Sequence, residues 1–155
     1  MLTFRLVEKT DDDLIYSIYR STRDKELAYT NWPESQKHAF VTMQLMAQLT
    51  DYQTKYPDIL QEIILHNKKS IGRLYTWESL SEIKIIDISI LPEYQRKGFG
   101  TKILQQILNK AIQAEKKVSL HVITSNPALK LYERLGFRKI DTYMDRFYME
   151  FSPLN

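Results

Sequence analysis

The most constraining feature of the sequence is a run of three elements between Glu82 and Ile112. The segment Glu82–Leu91 carries apolar residues on both of its alternating faces, which is typical of a strand in the middle of a sheet. It leads through the stretch YQRKGFGTK, with Gly98 and Gly100 one residue apart, into a segment whose apolar residues recur at helical spacing. The apolar face predicted for this helix consists of Ile103, Leu104, Ile107, Leu108, Ala111 and Ile112. A central strand joined directly to an amphipathic helix predicts a layered fold in which helices cover a sheet.

The rest of the chain alternates strand and helix patterns around this unit. Thr10 followed by three aspartates predicts one helix start, and a longer helix is predicted between Pro33 and Pro57. Strands are predicted at 3–7, 60–65, 70–77, 118–123, 137–143 and 146–151, and a short helix at 127–135. Residues 66–69 are predicted to join the second and third of these strands as a hairpin turn. The order βααβββαβαββ predicts an α/β fold, in which a mixed sheet has helices on both sides.

The long helix carries a set of apolar residues at helical spacing, which predicts the face that it turns to the core. The residues of this set are Phe40, Met43, Leu45, Met46 and Leu49.

Composition limits the environment in which the chain works. The 155 residues include no cysteine, so the core forms without disulfides and a reducing compartment is favoured. No apolar run approaches the length of a membrane span, and the opening MLTFRLVEKTDDD is unlike a secretory signal. We therefore expect one domain over residues 1–155, cytoplasmic localisation and no membrane contact. The net charge of +3 favours an anionic partner only mildly.

The glycine loop has the properties of a phosphate site. A loop that ends at the first turn of a helix presents consecutive N–H groups, to which the helix dipole adds roughly half a positive charge. Gly98 and Gly100 allow the main chain to approach a ligand closely, and Arg96 and Lys97 add positive charge at the rim. The spacings of a P-loop and of a Rossmann fingerprint are both absent from this stretch.

Two motifs together resemble a known superfamily. The spacing Gln95-x-x-Gly98-x-Gly100 is similar to the pyrophosphate loop of the GNAT acyl-CoA-dependent N-acetyltransferases, and SNPALKLYERLGF from Ser125 is similar to a later motif of that superfamily. One helix and one strand separate the two motifs, as the resemblance requires. It implies a mixed, mostly antiparallel sheet of about seven strands flanked by four helices, with acetyl-CoA as the acyl donor.

The resemblance also implies roles for individual residues. Ile88, Ser89 and Ile90 would hydrogen-bond the pantetheine arm through their main chain, Asn126 would contact the cofactor, and Tyr132 would lie near the sulfur. In the commonest version of the motif Ser125 would stand where Asn126 is assigned. The predicted pyrophosphate loop consists of Gln95, Arg96, Lys97, Gly98, Phe99, Gly100 and Thr101.

Several questions of chemistry stay open at this point. Glu82, Asp87, His121 or water are alternatives for the general base, and Lys84 stands where several family members carry a carboxylate. Taken alone, Tyr132 is better explained as a helix aromatic that packs against Leu135, and it is the surrounding motif that favours the functional interpretation. No His, Asp or Glu cluster has the spacing of metal ligands, so no metal site is predicted.

The acceptor is expected to be a small-molecule or peptide amine, bound by the first two helices and the last hairpin, which flank the acceptor cleft in this family. Aromatic residues concentrate there, namely Tyr16, Tyr19, Tyr29, Trp32, Tyr143 and Phe147, with Arg20, Arg23 and Asp145 among them. The predicted function is acetyl transfer from acetyl-CoA to a primary amine. A catalytically inactive acyl-CoA sensor is an alternative, a nucleic-acid-binding domain is not supported by any motif, and a homodimer is an open option.

Overall fold

The structure is a computed structural model that describes residues 1–153. The strands are β1 (Leu2–Leu6), β2 (Leu60–His66), β3 (Lys69–Glu78), β4 (Glu82–Ile90), β5 (Lys117–Ile123), β6 (Arg138–Tyr143) and β7 (Arg146–Phe151). The α-helices are α1 (Asp12–Ser21), α2 (Asp24–Leu27), α3 (Glu34–Lys55), α4 (Phe99–Ala114) and α5 (Leu129–Arg134). Short 3-10 turns lie at Lys9–Asp11 and Pro92–Tyr94. No helix within these residues is long and apolar enough to cross a membrane.

The strands form one seven-stranded sheet in the order β1-β2-β3-β4-β5-β7-β6. β4 and β5 are parallel, whereas the β1–β2, β5–β7 and β6–β7 pairs are antiparallel. The predicted mixed sheet and the central position of β4 are confirmed. The prediction of four α-helices missed α2, whose four residues are too few for a periodic pattern and bury only Leu27.

The chain folds into two compact units, and β3 and β4 each run from one into the other. The first unit comprises residues 1–75 and 87–95. Its core is formed by Ile15, Tyr19, Leu27, Val41, Leu45 and Ile63. The β2–β3 hairpin turns at Asn67 and Lys68, which both adopt positive φ angles, of 50° and 68°, as a tight hairpin turn requires.

The predicted core face of α3 is partly wrong. Val41 and Leu45 are the buried residues of this helix, while Met43 and Met46 are 60% and 64% exposed. The buried pair is four residues apart and so lies on one stripe, whereas Met43 is two positions from Val41 and points away from it. The positions of the methionines in the sequence therefore did not reveal which face of α3 is buried.

The second unit comprises residues 76–86 and the described residues from 96 onward. α4 buries Ile103, Leu104, Ile107 and Leu108, as predicted. The prediction fails at Ile112, which is 48% exposed near the end of the helix.

Strand pairing in the second unit places alternate residues of β4, β5 and β7 on a shared face. β4 pairs with β5 over residues 82–85 and 117–120, and β5 pairs with β7 so that His121 opposes Tyr148. Because side chains alternate along a strand, Lys84, Ser119, His121 and Tyr148 belong to one face of this part of the sheet.

Candidate functional site

The glycine loop connects the 3-10 turn Pro92–Tyr94 to the first residue of α4. Arg96 and Gly98 both adopt left-handed conformations, with φ angles of 61° and 84°. Gly98 is the N-cap residue of α4 and supplies no side-chain cap, and its carbonyl accepts the first helical hydrogen bond, from the N–H of Lys102 at 3.1 Å. The left-handed backbone at Gly98 suits glycine, which lacks the Cβ that makes this region costly for other residues.

The loop leaves a series of main-chain donors unpaired. Within residues 1–153, the N–H groups of Arg96, Lys97, Gly98, Gly100 and Thr101 donate to no carbonyl or side-chain oxygen. Two of them belong to the first turn of α4, where the helix dipole favours negative charge. An anion with several oxygens, such as a diphosphate, would satisfy these donors together.

Both glycines of the loop face open space. A Cβ added at Gly98 or at Gly100 would meet no atom within 4 Å. Gly100 lies in helical backbone, where glycine destabilises a helix by about 0.5–1 kcal/mol relative to alanine. Since no neighbouring atom excludes a side chain there, internal packing does not explain this glycine, whereas close approach by a ligand would.

The predicted residues of the first unit are held by local hydrogen bonds. The side-chain amide of Gln95 donates to the carbonyl of Ile90 at 2.8 Å, so it ties the start of the loop to the end of β4. The hydroxyl of Ser89 donates to Asp87 at 2.6 Å. Sequence reasoning placed Gln95 in the cofactor loop, and this bond gives it a positioning role as well.

Asp87, a candidate base, lies in a buried network within the first unit. Its Oδ2 accepts hydrogen bonds from Arg73 at 2.9 Å and from Tyr52 at 3.2 Å. Arg73 is 1% exposed and also donates to Gln48 at 2.7 Å. Burial, followed by the Asp87 charge, raises the pKa of Tyr52. The carboxylate is thus committed to structural partners, and Arg73, placed inside the apolar β3 run, was not recognised from the sequence.

The second motif, which starts at Ser125, forms the turn before α5 and the whole of that helix in the second unit. The side-chain oxygen of Asn126 accepts the N–H of Ala128 at 2.9 Å, which stabilises the turn into α5 without using the side-chain NH₂ group. Tyr132 is buried, and its ring packs against Phe137 with centroids 5.7 Å apart. This contact agrees with the packing role that the sequence left open for Tyr132.

The second unit also contains a cavity of about 470 Å³. It is lined by Lys84, His121, Asp141, Tyr143, Arg146 and Tyr148. These residues come from β4, β5 and the β6–β7 hairpin, and the rings of His121 and Tyr148 lie 5.0 Å apart. His121 and Tyr143 are among the residues predicted from the sequence, whereas Tyr148 is not. Tyr148 follows Arg146 by two residues along β7, so the two side chains lie on one face, and this spacing could have identified Tyr148.

Lys84 lines this cavity without forming an ion pair inside the described part of the chain. Its ammonium lies 5.1 Å from the centroid of the Tyr148 ring, and no carboxylate within residues 1–153 comes within 4.0 Å of it. Burial lowers the pKa of Lys84, because removing an ammonium from water disfavours its charged form.

The carboxylates on the neighbouring strands already have partners. Glu150 accepts hydrogen bonds from Lys117 at 2.9 Å and from Tyr148 at 2.6 Å, and the bond from Lys117 holds the pKa of Glu150 below its usual range. Glu82, another candidate base, accepts a hydrogen bond from Ser119 at 2.6 Å. Lys84 therefore has no strong partner among them.

The remaining predicted residues divide between the two units. Tyr19 belongs to the core of the first unit, with Tyr16 and Trp32 partly buried against it, so these three rings have a packing role. Tyr29 is exposed, and Tyr143 lines the cavity of the second unit. No group of three potential metal ligands occurs within residues 1–153.

Comparison with known proteins places this geometry in a family. The model of the family described as FR47-like protein matches residues 64–145. The cysteine-rich protein 2-binding protein of Homo sapiens is 32% identical over 102 residues, which are 64% of this chain and 12% of that protein. The ribosomal protein bS18-alanine N-acetyltransferase of Haemophilus influenzae is 35% identical over 82 residues, 50% of this chain and 54% of that enzyme. The chain thus spans between about an eighth and about half of the length of these curated relatives.

A solved structure extends the likeness to the whole fold. The PaiA N-acetyltransferase of Thermoplasma acidophilum, crystallised with coenzyme A, superposes with a TM-score of 0.70 at 18% identity, covering 98% of this chain and 99% of that one. At this identity the comparison establishes the fold.

Proposed function

The chain belongs to the FR47-like family of the GNAT superfamily, and on that premise we propose that it transfers an acetyl group from acetyl-CoA to a primary amine. The observation that carries the proposal is the set of unpaired main-chain N–H groups of Arg96, Lys97, Gly98, Gly100 and Thr101. They lie at the N-terminus of α4, the positive end of the helix dipole, in a loop whose two glycines leave space for a ligand. This loop would bind the diphosphate of the cofactor, and the end of β4 would bind its pantetheine arm.

The proposed reaction is a direct attack in a ternary complex. The amine nitrogen attacks the thioester carbonyl, the carbon–sulfur bond breaks, and the sulfur leaves as a thiolate while the nitrogen loses a proton. Tyr132 would donate a hydrogen bond to the leaving sulfur. With reference pKa values of about 10 for Tyr and about 8.5 for a thiol, full proton transfer costs roughly 2 kcal/mol. Stabilisation of the thiolate by hydrogen bonding is therefore the role that we assign to Tyr132.

Position favours one of the candidate bases. Neither Asp87 nor Glu82 lines the cavity of the second unit. His121 lines a cavity of the second unit, and imidazole titrates nearest to neutral pH. We propose His121, directly or through water, as the group that receives the proton of the amine.

The relatives suggest the class of amine. One of them is named as an N-acetyltransferase of an alanine of ribosomal protein bS18. We therefore propose an α-amine, on a peptide or a small molecule, as the acceptor.

Cofactor binding can be tested by thermal unfolding. Acetyl-CoA at a hundredfold excess over its Kd should stabilise the protein by about 2.7 kcal/mol, and Gly98→Glu should abolish the gain by placing a carboxylate beside the diphosphate. Gly98→Asn is the matched control, because asparagine tolerates the left-handed backbone and adds no charge. Absence of any shift with the wild-type protein at millimolar acetyl-CoA would refute the cofactor assignment.

Release of free thiol distinguishes an enzyme from a sensor. With acetyl-CoA and a panel of amino acids, peptides, polyamines and aminoglycosides, we expect turnover with at least one α-amine. Binding of acetyl-CoA without turnover across the panel would instead identify a cofactor sensor.

A further inference from the structure

The cavity of the second unit is lined by aromatic rings and by charged side chains of both signs. Lys84 and Arg146 supply two cations and Asp141 one carboxylate, beside the rings of His121 and Tyr148. Ligand pockets typically measure about 300–1,000 Å³, so a volume of about 470 Å³ accommodates an amino acid or the end of a peptide.

Lys84 is the part of the cavity that internal contacts leave unsatisfied. It is half-buried against Tyr148 with no carboxylate in ion-pair range within residues 1–153. The charges of Glu82 and Glu150 act on the ammonium from beyond ion-pair distance and only partly offset its burial, because the pKa of Lys84 remains lowered. Arg146 is similarly available, since its nearest carboxylate within the described chain is that of the exposed Asp145, at 4.0 Å.

We propose that this cavity is the acceptor site and that it selects amines whose molecule also carries a carboxylate, with Lys84 as the carboxylate anchor. This inference rests on the proposed function. Lys84 and Arg146 would bind the carboxylate, and Asp141 would attract the ammonium end of the substrate. An amine that bears only positive charge, such as a polyamine, would meet two unfavourable cations. An acidic peptide N-terminus fits this charge pattern.

The test uses two peptide amides that differ in one group, Ala-Glu amide and Ala-Gln amide. Their α-amines are alike, so a difference in kcat/KM reports on the carboxylate. Because a hydrogen bond to a charged group contributes about 1.5–3 kcal/mol, we expect kcat/KM for the acidic peptide to be at least about tenfold higher. Spermidine should be the poorest acceptor.

Substitutions at Lys84 should change the preference for the acidic over the neutral peptide according to whether they keep the positive charge. Lys84→Met should reduce kcat/KM for the acidic peptide to that for the neutral peptide, while Lys84→Arg should retain the preference because it keeps the charge. Lys110→Met is the matched control: it removes an equivalent charge from an exposed position of α4 that pairs with Glu78, and should leave the preference intact. Loss of activity towards both peptides in Lys84→Arg would show that Lys84 acts as a base and would overturn the proposal.

Binding of the acetylated peptides, measured by calorimetry without cofactor, separates this inference from the proposed function. Tighter binding of the acidic product, lost in Lys84→Met, supports the cavity assignment even if no amine is acetylated, in which case the proposed function fails. Equal kcat/KM for both peptides, with normal acetyl-CoA binding and turnover, overturns the cavity assignment and leaves the proposed function standing. Equal binding of both products together with no turnover contradicts both.

Discussion

Replacing Gly72 by alanine should destabilise the protein, whereas the same replacement at Gly100 should stabilise it. A Cβ added at Gly72 would lie 2.1 Å from the carbonyl oxygen of Ser89 and 3.1 Å from the Cα of Ile90, while non-bonded heavy atoms pack at about 3.5 Å. Both neighbours are main-chain atoms of β4, so no side chain can rotate away, and β3 and β4 must separate.

The magnitude follows from two opposing terms. Overpacking costs about 1–3 kcal/mol, and a main-chain clash of this size belongs at the upper end. Alanine also lowers the entropy of the unfolded chain, which returns about 0.4–1 kcal/mol. The net loss for Gly72→Ala is therefore about 2 kcal/mol, or a fall in Tm of about 4–8 °C for a chain of this length. The displaced segment includes Ser89 and Ile90, so affinity for acetyl-CoA should fall as well.

Gly100→Ala is the matched control, because it makes the same chemical change without a clash. Gly100 is the second residue of α4, and an added Cβ meets nothing within 4 Å. Helix propensity then predicts a gain of about 0.5–1 kcal/mol, a rise in Tm of about 1–4 °C. Urea unfolding followed by circular dichroism measures both variants. A Gly72→Ala protein as stable as wild type, or a destabilised Gly100→Ala protein, would refute the packing argument.

Three further predictions concern single side chains. Hydrogen bonds from Arg5 hold the pKa of Asp11 at about 2, below its ordinary 3.8, so the ionised form is favoured in the folded state. The pair of Arg5 and Asp11 therefore adds at most about 2 kcal/mol to the free energy of unfolding above pH 4, and this contribution is lost between about pH 4 and 2. Asp11→Asn should make the stability fall less steeply with pH in this range. An unchanged pH dependence in Asp11→Asn would exclude the pair as its cause. Tyr132→Phe removes a hydrogen bond to a charged group and should lower kcat by roughly ten- to a hundredfold with little change in the Kd of acetyl-CoA, whereas an unchanged kcat in thiol release would limit Tyr132 to packing. Arg73→Met should cost about 3–5 kcal/mol in urea unfolding because it leaves Asp87 buried without its cation, and a loss below about 1 kcal/mol would contradict the buried pair.

The parts of the fold that sequence predicted well are those in which local chemistry and tertiary packing agree. Apolar residues on both faces of β4 predicted an interior strand, and β4 has a neighbouring strand on either side. The loop before α4 needs glycine at Gly98, where φ is 84°. The turn at Asn67 and Lys68 is likewise set by short-range backbone preferences. The conformation of such elements is determined by residues that are close together in the sequence.

The failures have a common physical cause, which is that burial depends on distant partners. Met43 and Met46 resemble core residues by type, yet the contacts of Val41 and Leu45 decide which face of α3 is buried. Arg73 interrupts an apolar strand, and nothing adjacent to it in sequence reveals that Asp87 and Gln48 will receive its hydrogen bonds.

The predicted site divides in the same way. The Gln95–Thr101 loop is a contiguous motif and could be found from its spacing, whereas the cavity around Lys84 is assembled from four strands and depends on their register. Sequence spacing carries no information about which of these strands become neighbours. Lys84 and Tyr148 therefore became visible as a pair only in the folded chain.

The central claim is that main-chain N–H groups of residues 96–101 bind the diphosphate of coenzyme A. Heteronuclear NMR tests it directly, with coenzyme A as ligand and pantetheine, which lacks the diphosphate, as the comparison. We expect the amide resonances of these residues to shift and their exchange with solvent to slow with coenzyme A but not with pantetheine. Saturated binding of coenzyme A with these resonances unmoved would contradict the account.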